Sequence, residues 1–125
     1  MNDEGTSMFI RTVQEIIGSE RDAQGEGWRS RRLVLAGDGL PYSVHESTVD
    51  AGQVLRFTYR SHSETVYCLA GGGTVEDVAG GKVADLRPGT LYSVGVGDEH
   101  VVRTDSQTTF LCVFVPPLVG DEEAD

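Results

Sequence analysis

The sequence predicts an all-β fold, a small jelly-roll-like barrel preceded by one short helix. Three observations predict it. From Trp28 onward, nine or ten short runs rich in Val, Leu, Tyr and Phe fit into about 90 residues. The 16 glycines fall mostly between these runs, at turns. The helix signals are confined to the first 20 or so residues. Regularly spaced short strands with turn signals suit a closed barrel or a two-sheet sandwich.

Residues 1–7 are expected to be a disordered lead-in. Phe9-Ile10-Arg11 reads as a short edge strand. Thr12-Val13-Gln14-Glu15 matches a capping box, in which the Thr hydroxyl and Glu carboxylate satisfy the first helical amides, and this predicts a helix over 13–19. Gly25 and Gly27 end the connection that follows. Strands are then expected over 28–35, 42–49, 54–59, 64–70, 74–78, 83–86, 91–94, 100–103 and 109–115, with a polar loop at 60–63. Pro116-Pro117 stops the last strand, because proline cannot donate to a ladder. No linker or repeat interrupts the pattern, so 8–119 reads as a single domain and 120–125 as an acidic tail.

With 125 residues the chain can bury one modest core. Twenty acidic residues against ten Lys and Arg give a formal charge of −10. That argues against nucleic-acid backbones and anionic membranes as partners. It suits a salty cytoplasm, and equally a surface solubilised by acids. No apolar run approaches the roughly 20 residues that span a bilayer, and the polar start MNDEGTS is unlike a signal peptide. A cytoplasmic protein is expected. Cys68 and Cys112 lie in apolar strand patterns without zinc-site spacing and read as reduced, buried thiols.

The chemistry concentrates in two stretches. In Pro88 to His100, Pro88-Gly89 makes a turn and Leu91 to Val94 a strand. Gly95, Gly97 and Asp98 make a second turn, and His100 opens the next strand. This reads as a hairpin with Tyr92 and His100 at its two ends, both able to enter one cavity. The second stretch, Ser61 to Gly71, supplies Glu64. The spacing of Glu64, six residues, then Gly71, followed by Pro88-Gly89 and His100, resembles the two motifs of the cupin class. Metal-binding cupins also carry a His-x-His pair, but those places hold Thr58 and Arg60. Glu64 and His100 remain, with Tyr92 the nearest candidate for a third ligand. A carboxylate, a phenol and an imidazole suit Fe(II), with Zn(II), Mn(II) and Co(II) as rivals. Three protein ligands leave positions open for substrate or water. Each residue alone has a plainer reading: Glu64 as a solvated carboxylate, Tyr92 as a strand aromatic, His100 as a satisfied imidazole. Their joint spacing favours the metal.

A narrower resemblance spans roughly residues 8–122. Trp28-x-x-x-Arg32, Tyr59-x-x-His62-x-Glu64-x-Val66-Tyr67-Cys68, Pro88-Gly89-x-x-Tyr92, Gly97-Asp98-Glu99-His100 and Cys112-Val113-Phe114-x-Pro116 together resemble the ectoine synthase family. The resemblance implies a cupin barrel and a hydro-lyase activity. The implied reaction closes Nγ-acetyl-diaminobutyrate to the compatible solute ectoine, used against osmotic stress, with loss of water. It implies Glu64, Tyr92 and His100 as iron ligands, and substrate-pocket roles for Trp28, Arg32, Ser47, Tyr59, His62, Phe114 and Glu122. Ser47 stands where the family commonly has Thr and keeps the hydroxyl. The resemblance also implies a head-to-tail homodimer. Near the C-terminus the family has Glu-x-His and a longer tail that helps close the barrel mouth; here Ala124 holds the His place and the sequence stops at Asp125. The expectation is a less closed mouth, and with it an alternative substrate, another N-acylated diamino acid. A non-catalytic small-molecule-binding cupin is the alternative from another class.

The cyclisation needs an activated acyl oxygen, a base for the amine and an acid for the leaving oxygen. His62 and Tyr92 are the proton-handling candidates. Arg32 suits a two-point contact with a carboxylate. Trp28 and Phe114 suit apolar walls. Without the family pattern Trp28 and Phe114 read as core, Arg32 as part of a solvated run from Arg29, and Glu122 as surface. His45 and Glu46 are adjacent on a strand, so they face opposite sides and form no dyad.

Overall fold

The chain folds as two antiparallel sheets facing each other, as the short alternating runs require; a computed structural model describes residues 7–120. The strands are β1 (Asp22–Gly25), β2 (Trp28–Val34), β3 (Ser43–Val49), β4 (Val54–Phe57), β5 (Ser63–Ala70), β6 (Gly73–Asp77), β7 (Lys82–Leu86), β8 (Leu91–Val94), β9 (His100–Thr104) and β10 (Thr108–Val115). Six of them form one sheet in the order β1-β2-β3-β10-β5-β8, and four form the other in the order β4-β9-β6-β7. Non-sequential neighbours such as β3-β10-β5 make this a jelly roll and not a meander. Among the described residues no helix is long and apolar enough to cross a membrane. Apart from Ser7 and Gly120, the expected lead-in and tail lie outside the described residues, and Glu122 and Ala124 with them.

Period-two alternation sets what faces inward. On β10, Phe110, Cys112 and Phe114 point between the sheets, paired in register with Cys68, Val66 and Glu64 of β5. On its other side β10 sets the same three residues opposite Ser47, His45 and Ser43 of β3. The apolar part of this layer, with Val49, Leu86 and Val102, forms the core. Burying a side chain such as Leu86, 1% exposed, contributes about 1.5–3 kcal/mol.

Four expectations are corrected. The helix α1 covers only Val13–Ile16. Its capping box forms, with Thr12 and Glu15 bonding each other's backbone amides. It then stops, because Ile17 leaves helical dihedrals and Gly18 takes φ +83°. Phe9-Ile10-Arg11 is not a strand. Arg11 ties the segment down through its side chain instead, bonding the Leu33 carbonyl and the Asp38 carboxylate, with its guanidinium over the Phe9 ring. Gly25 to Gly27 is not a mere connection. Asp22–Gly25 pairs with β2 around a Glu26-Gly27 turn, with Gly27 at φ +81°. The Trp28 indole lies over Gly25, where a Cβ would approach it to 2.5 Å. Last, β8 and β9 do not pair as a hairpin. β8 pairs with β5, while β9 lies between β4 and β6, so the turn between them carries the chain from one sheet to the other. That turn is held by Asp98, whose carboxylate accepts from the Gly95 amide at 2.7 Å, and by the Gly97 amide donating to the Tyr59 carbonyl at 2.8 Å.

Candidate metal centre and active site

The two sheets enclose a cavity of about 340 Å³, a size that suits a small molecule. Glu64 of β5 and Tyr92 of β8 line it, and His100 of β9 packs against them. Glu64 Oε1 lies 3.8 Å from His100 Nε2, and the Tyr92 and His100 rings are 5.8 Å apart. The sheet crossing brings this about: Glu64 sits opposite Val94 of β8, and His100 enters from the facing sheet opposite Phe57.

The electrostatics of this cluster come from burial. Glu64 is 6% exposed, and desolvation pushes its carboxyl up to about 8, opposed by a hydrogen bond from Cys112. Desolvation holds His100 below its ordinary value, against the pull of the Asp98 carbonyl and carboxylate. The Tyr92 phenol is driven well above its usual range by burial, then by Glu64. Near neutrality, then, a protonated carboxyl, a neutral imidazole and a phenol share one buried corner.

His100 Nδ1 donates to the Asp98 carbonyl at 3.0 Å. That tautomer leaves the Nε2 lone pair facing Glu64, and Nε2 is buried without a hydrogen-bond partner. An orphaned imidazole nitrogen beside a buried carboxyl and a phenol is the donor set a divalent cation satisfies, and the carbonyl behind the imidazole fixes its orientation. Among the described residues no three of His, Cys, Asp and Glu are grouped to hold a metal. The set is complete only with the phenol.

The remaining candidates line the same cavity: Trp28, Arg32, Ser47, Tyr59, His62 and Phe114. Arg31 and Arg32 fall on opposite faces of β2. Arg31 pairs outward with Asp22 and Glu46, while Arg32 turns in. Arg32 Nη1 donates to the Gly120 carbonyl and its Nε is buried without a partner. His62 Nδ1 donates to the Pro116 carbonyl at 2.8 Å, which leaves Nε2 as an acceptor. Tyr59 stands edge-on to Phe114, their centroids 5.1 Å apart, and stacks on Phe57. Glu122 lies outside the described residues.

Two cavity residues escaped the sequence reading. Cys112 is a free, buried thiol as expected, and it also makes polar contacts in the cavity: its Sγ lies 3.9 Å from Ser47 Oγ and it bonds Glu64. Burial, then Glu64, raises the thiol well above its ordinary value. His45 turns inward and Glu46 outward, as the alternation requires. The imidazole is 2% exposed, lines the cavity, stands edge-on to Phe114 and has Nε2 3.0 Å from Ser43 Oγ. The signal was available: Cys112 shares a strand face with Phe110 and Phe114, and His45 with Ser47.

Comparison with known proteins places these features. The family model for ectoine synthase matches residues 8–125. An L-ectoine synthase of Nocardia farcinica is 46% identical over 118 residues, covering 94% of this chain and 90% of that protein. The crystal structure of ectoine synthase from P. lautus superposes with a TM-score of 0.86 at 36% identity, over 90% of this chain and 81% of that one. An RmlC-like cupin from Shewanella frigidimarina, at 20% identity and a TM-score of 0.63 over 76% of this chain and 81% of that one, shares the fold.

Proposed function

Since the chain belongs to the ectoine synthase family, we propose that it is a metal-dependent lyase that closes Nγ-acetyl-L-2,4-diaminobutyrate to ectoine with loss of water. The observation that carries this is the joining of two sets in one cavity. Glu64 and Tyr92, with His100 packed against them, share its lining with Trp28, Arg32, Tyr59, His62 and Phe114.

Glu64, Tyr92 and His100 would hold the cation, Fe(II) first and Zn(II), Mn(II) or Co(II) as rivals. When bound it supplies Lewis acidity toward an acyl oxygen. The other work falls to the chain. Arg32 fixes the substrate carboxylate, using an Nε that has no partner of its own. The aromatic walls exclude water, which would otherwise reverse a condensation, and hold the amine near the carbonyl. His62, with Nδ1–H committed to Pro116, has Nε2 free to take the amine proton. Ser47 offers a hydroxyl to the substrate. Tyr92 keeps its phenolic proton in the cation-free protein. It therefore acts as ligand or as acid, and the metal content of Tyr92→Phe separates the two. Glu122 is assigned to the substrate by family resemblance alone. The same reading makes the protein a cytoplasmic enzyme of compatible-solute synthesis and a head-to-tail homodimer. Tyr67 and Leu91, exposed cross-strand neighbours on β5 and β8, and Leu69 beside them offer an apolar outer face for a second copy.

The test is proton NMR of substrate incubated anaerobically with Fe(II)-loaded protein. Ectoine should appear with wild type and be lost with Glu64→Ala. Bound metal without product overturns the substrate. Ala124, in place of the family's His, favours a second reading, a different N-acylated diamino acid, which the same assay distinguishes with substrate homologues. Absence of both metal and product would leave a binding cupin.

A further inference from the structure

We propose that Gly25, which lines no part of the cavity itself, sets the width of the substrate site by fixing how far the Trp28 indole stands into it. This rests on the reading of that cavity as the substrate site.

Gly25 and Trp28 stand directly opposite each other on β1 and β2, at the end of the hairpin that turns at Glu26-Gly27. Residues directly opposite on paired strands project to one face of the sheet. On β2 that face borders the cavity, since Trp28, Ser30 and Arg32 all line it. The indole lies across the bare Cα of Gly25. A Cβ there would meet the ring's Nε1, Cε2 and Cζ2 at 2.5, 2.6 and 2.7 Å. Ordinary contact begins at 3.4 Å, so any side chain at position 25 moves the ring by about 1 Å.

Contacts at both ends of the hairpin keep it from yielding instead. At the turn, the Gly27 carbonyl accepts from the Asp50 amide at 2.9 Å. At the base, the Asp22 carboxylate lies 3.3 Å from Arg31 Nε and accepts from the Gly18 amide at 2.9 Å. Beside it the Arg21 carbonyl accepts from the Arg32 amide at 3.0 Å. The ring is therefore the part that moves. With β1 beneath it, its open direction is away from the sheet and into the cavity, where substrate would lie. The backbone does not itself call for glycine here: Gly25 is not in the left-handed region that Gly27 occupies. What glycine supplies at 25 is room for a close neighbour.

The experiment compares the full chain as wild type, Gly25→Ala, Trp28→Phe and the double variant. Steady-state kinetics on Nγ-acetyl-L-2,4-diaminobutyrate use the Fe(II)-loaded proteins, and intrinsic fluorescence uses the cation-free ones. Trp28 is the sole tryptophan, so the emission reports its surroundings alone. Gly25→Ala should raise KM about tenfold. It should leave kcat nearly unchanged, because lost room weakens substrate and transition state alike. Its emission maximum should move to shorter wavelength as the ring enters the apolar cavity. In the Trp28→Phe background, where the ring is smaller, the same substitution should change KM by less than about twofold. An unmoved emission maximum, an unchanged KM, or an equal KM penalty in the Trp28→Phe background overturns the proposal. Absence of turnover by wild type overturns the substrate reading itself, and the role of Gly25 with it.

Discussion

Glu64 is the residue on which the proposed chemistry turns, because its burial works against its charge. Its folded pKa, about 8, lies above the ordinary 4.5. The unfolded chain therefore releases this proton first as pH rises. Stability from this group is full below about 4.5, falls from there to about 8, and is lost above. Glu64→Gln keeps the shape without the charge, so the cation-free variant should be more stable than wild type at pH 8 and equal to it near pH 4. Urea unfolding at the two pH values measures this. A parallel decline in both proteins would mean that Glu64 is solvated. The same proton competes with a cation, so metal affinity should climb with pH toward that value. His62 makes a different prediction. His62→Phe keeps an aromatic ring but removes Nε2, and with it the Nδ1 bond to Pro116, so it should retain metal and lose about 10²–10⁴-fold in kcat. Unchanged kcat would remove His62 from proton transfer.

The elements hold these side chains through a few contacts that no propensity scale contains. Asp38 gathers the N-terminal segment onto the barrel. Arg21 lies 2.9 Å from its carboxylate, Arg11 3.2 Å, and the Leu35 amide donates to it at 2.9 Å. The Arg21 bond above all holds its carboxyl well below the usual carboxylate range. A depressed pKa gives stability that is full above the unfolded value, near 4, and lost as pH falls toward the folded one. Asp38→Ala should cost about 1–3 kcal/mol at pH 7, a deficit that shrinks below about pH 4. Chemical denaturation across pH checks the sign. Strand positions were legible because Val, Tyr and Phe alternate between glycine turns, and inward faces followed from period two. Pairing partners were not. Nothing local in Leu91 to Thr104 says that β8 and β9 belong to different sheets, because that choice is made by β5 and by β4 and β6. The one-turn helix was over-read because Ile17 suits a helix by pattern, yet the chain must turn at Gly18 to reach β1. β1 itself, Asp-Ala-Gln-Gly, has no alternation to find.

At the scale of the molecule, two sheets bring into one cavity residues from Trp28 to Phe114 that are remote in sequence. Glu64, Tyr92 and His100 were suggested by motif spacing, and the wall residues only by resemblance to a known family. The tautomers of His62 and His100 and the contact of Cys112 with Glu64 are visible only in the folded chain, because each depends on a partner remote in sequence. The account depends most on Glu64, Tyr92 and His100 acting as one cation site. Its most direct test is the iron content, by elemental analysis, of protein reconstituted anaerobically with Fe(II) and then desalted. Wild type should retain about one iron per chain, and Glu64→Ala, Tyr92→Phe and His100→Ala should each retain far less. Iron retained equally by all four proteins, or by none, would contradict it.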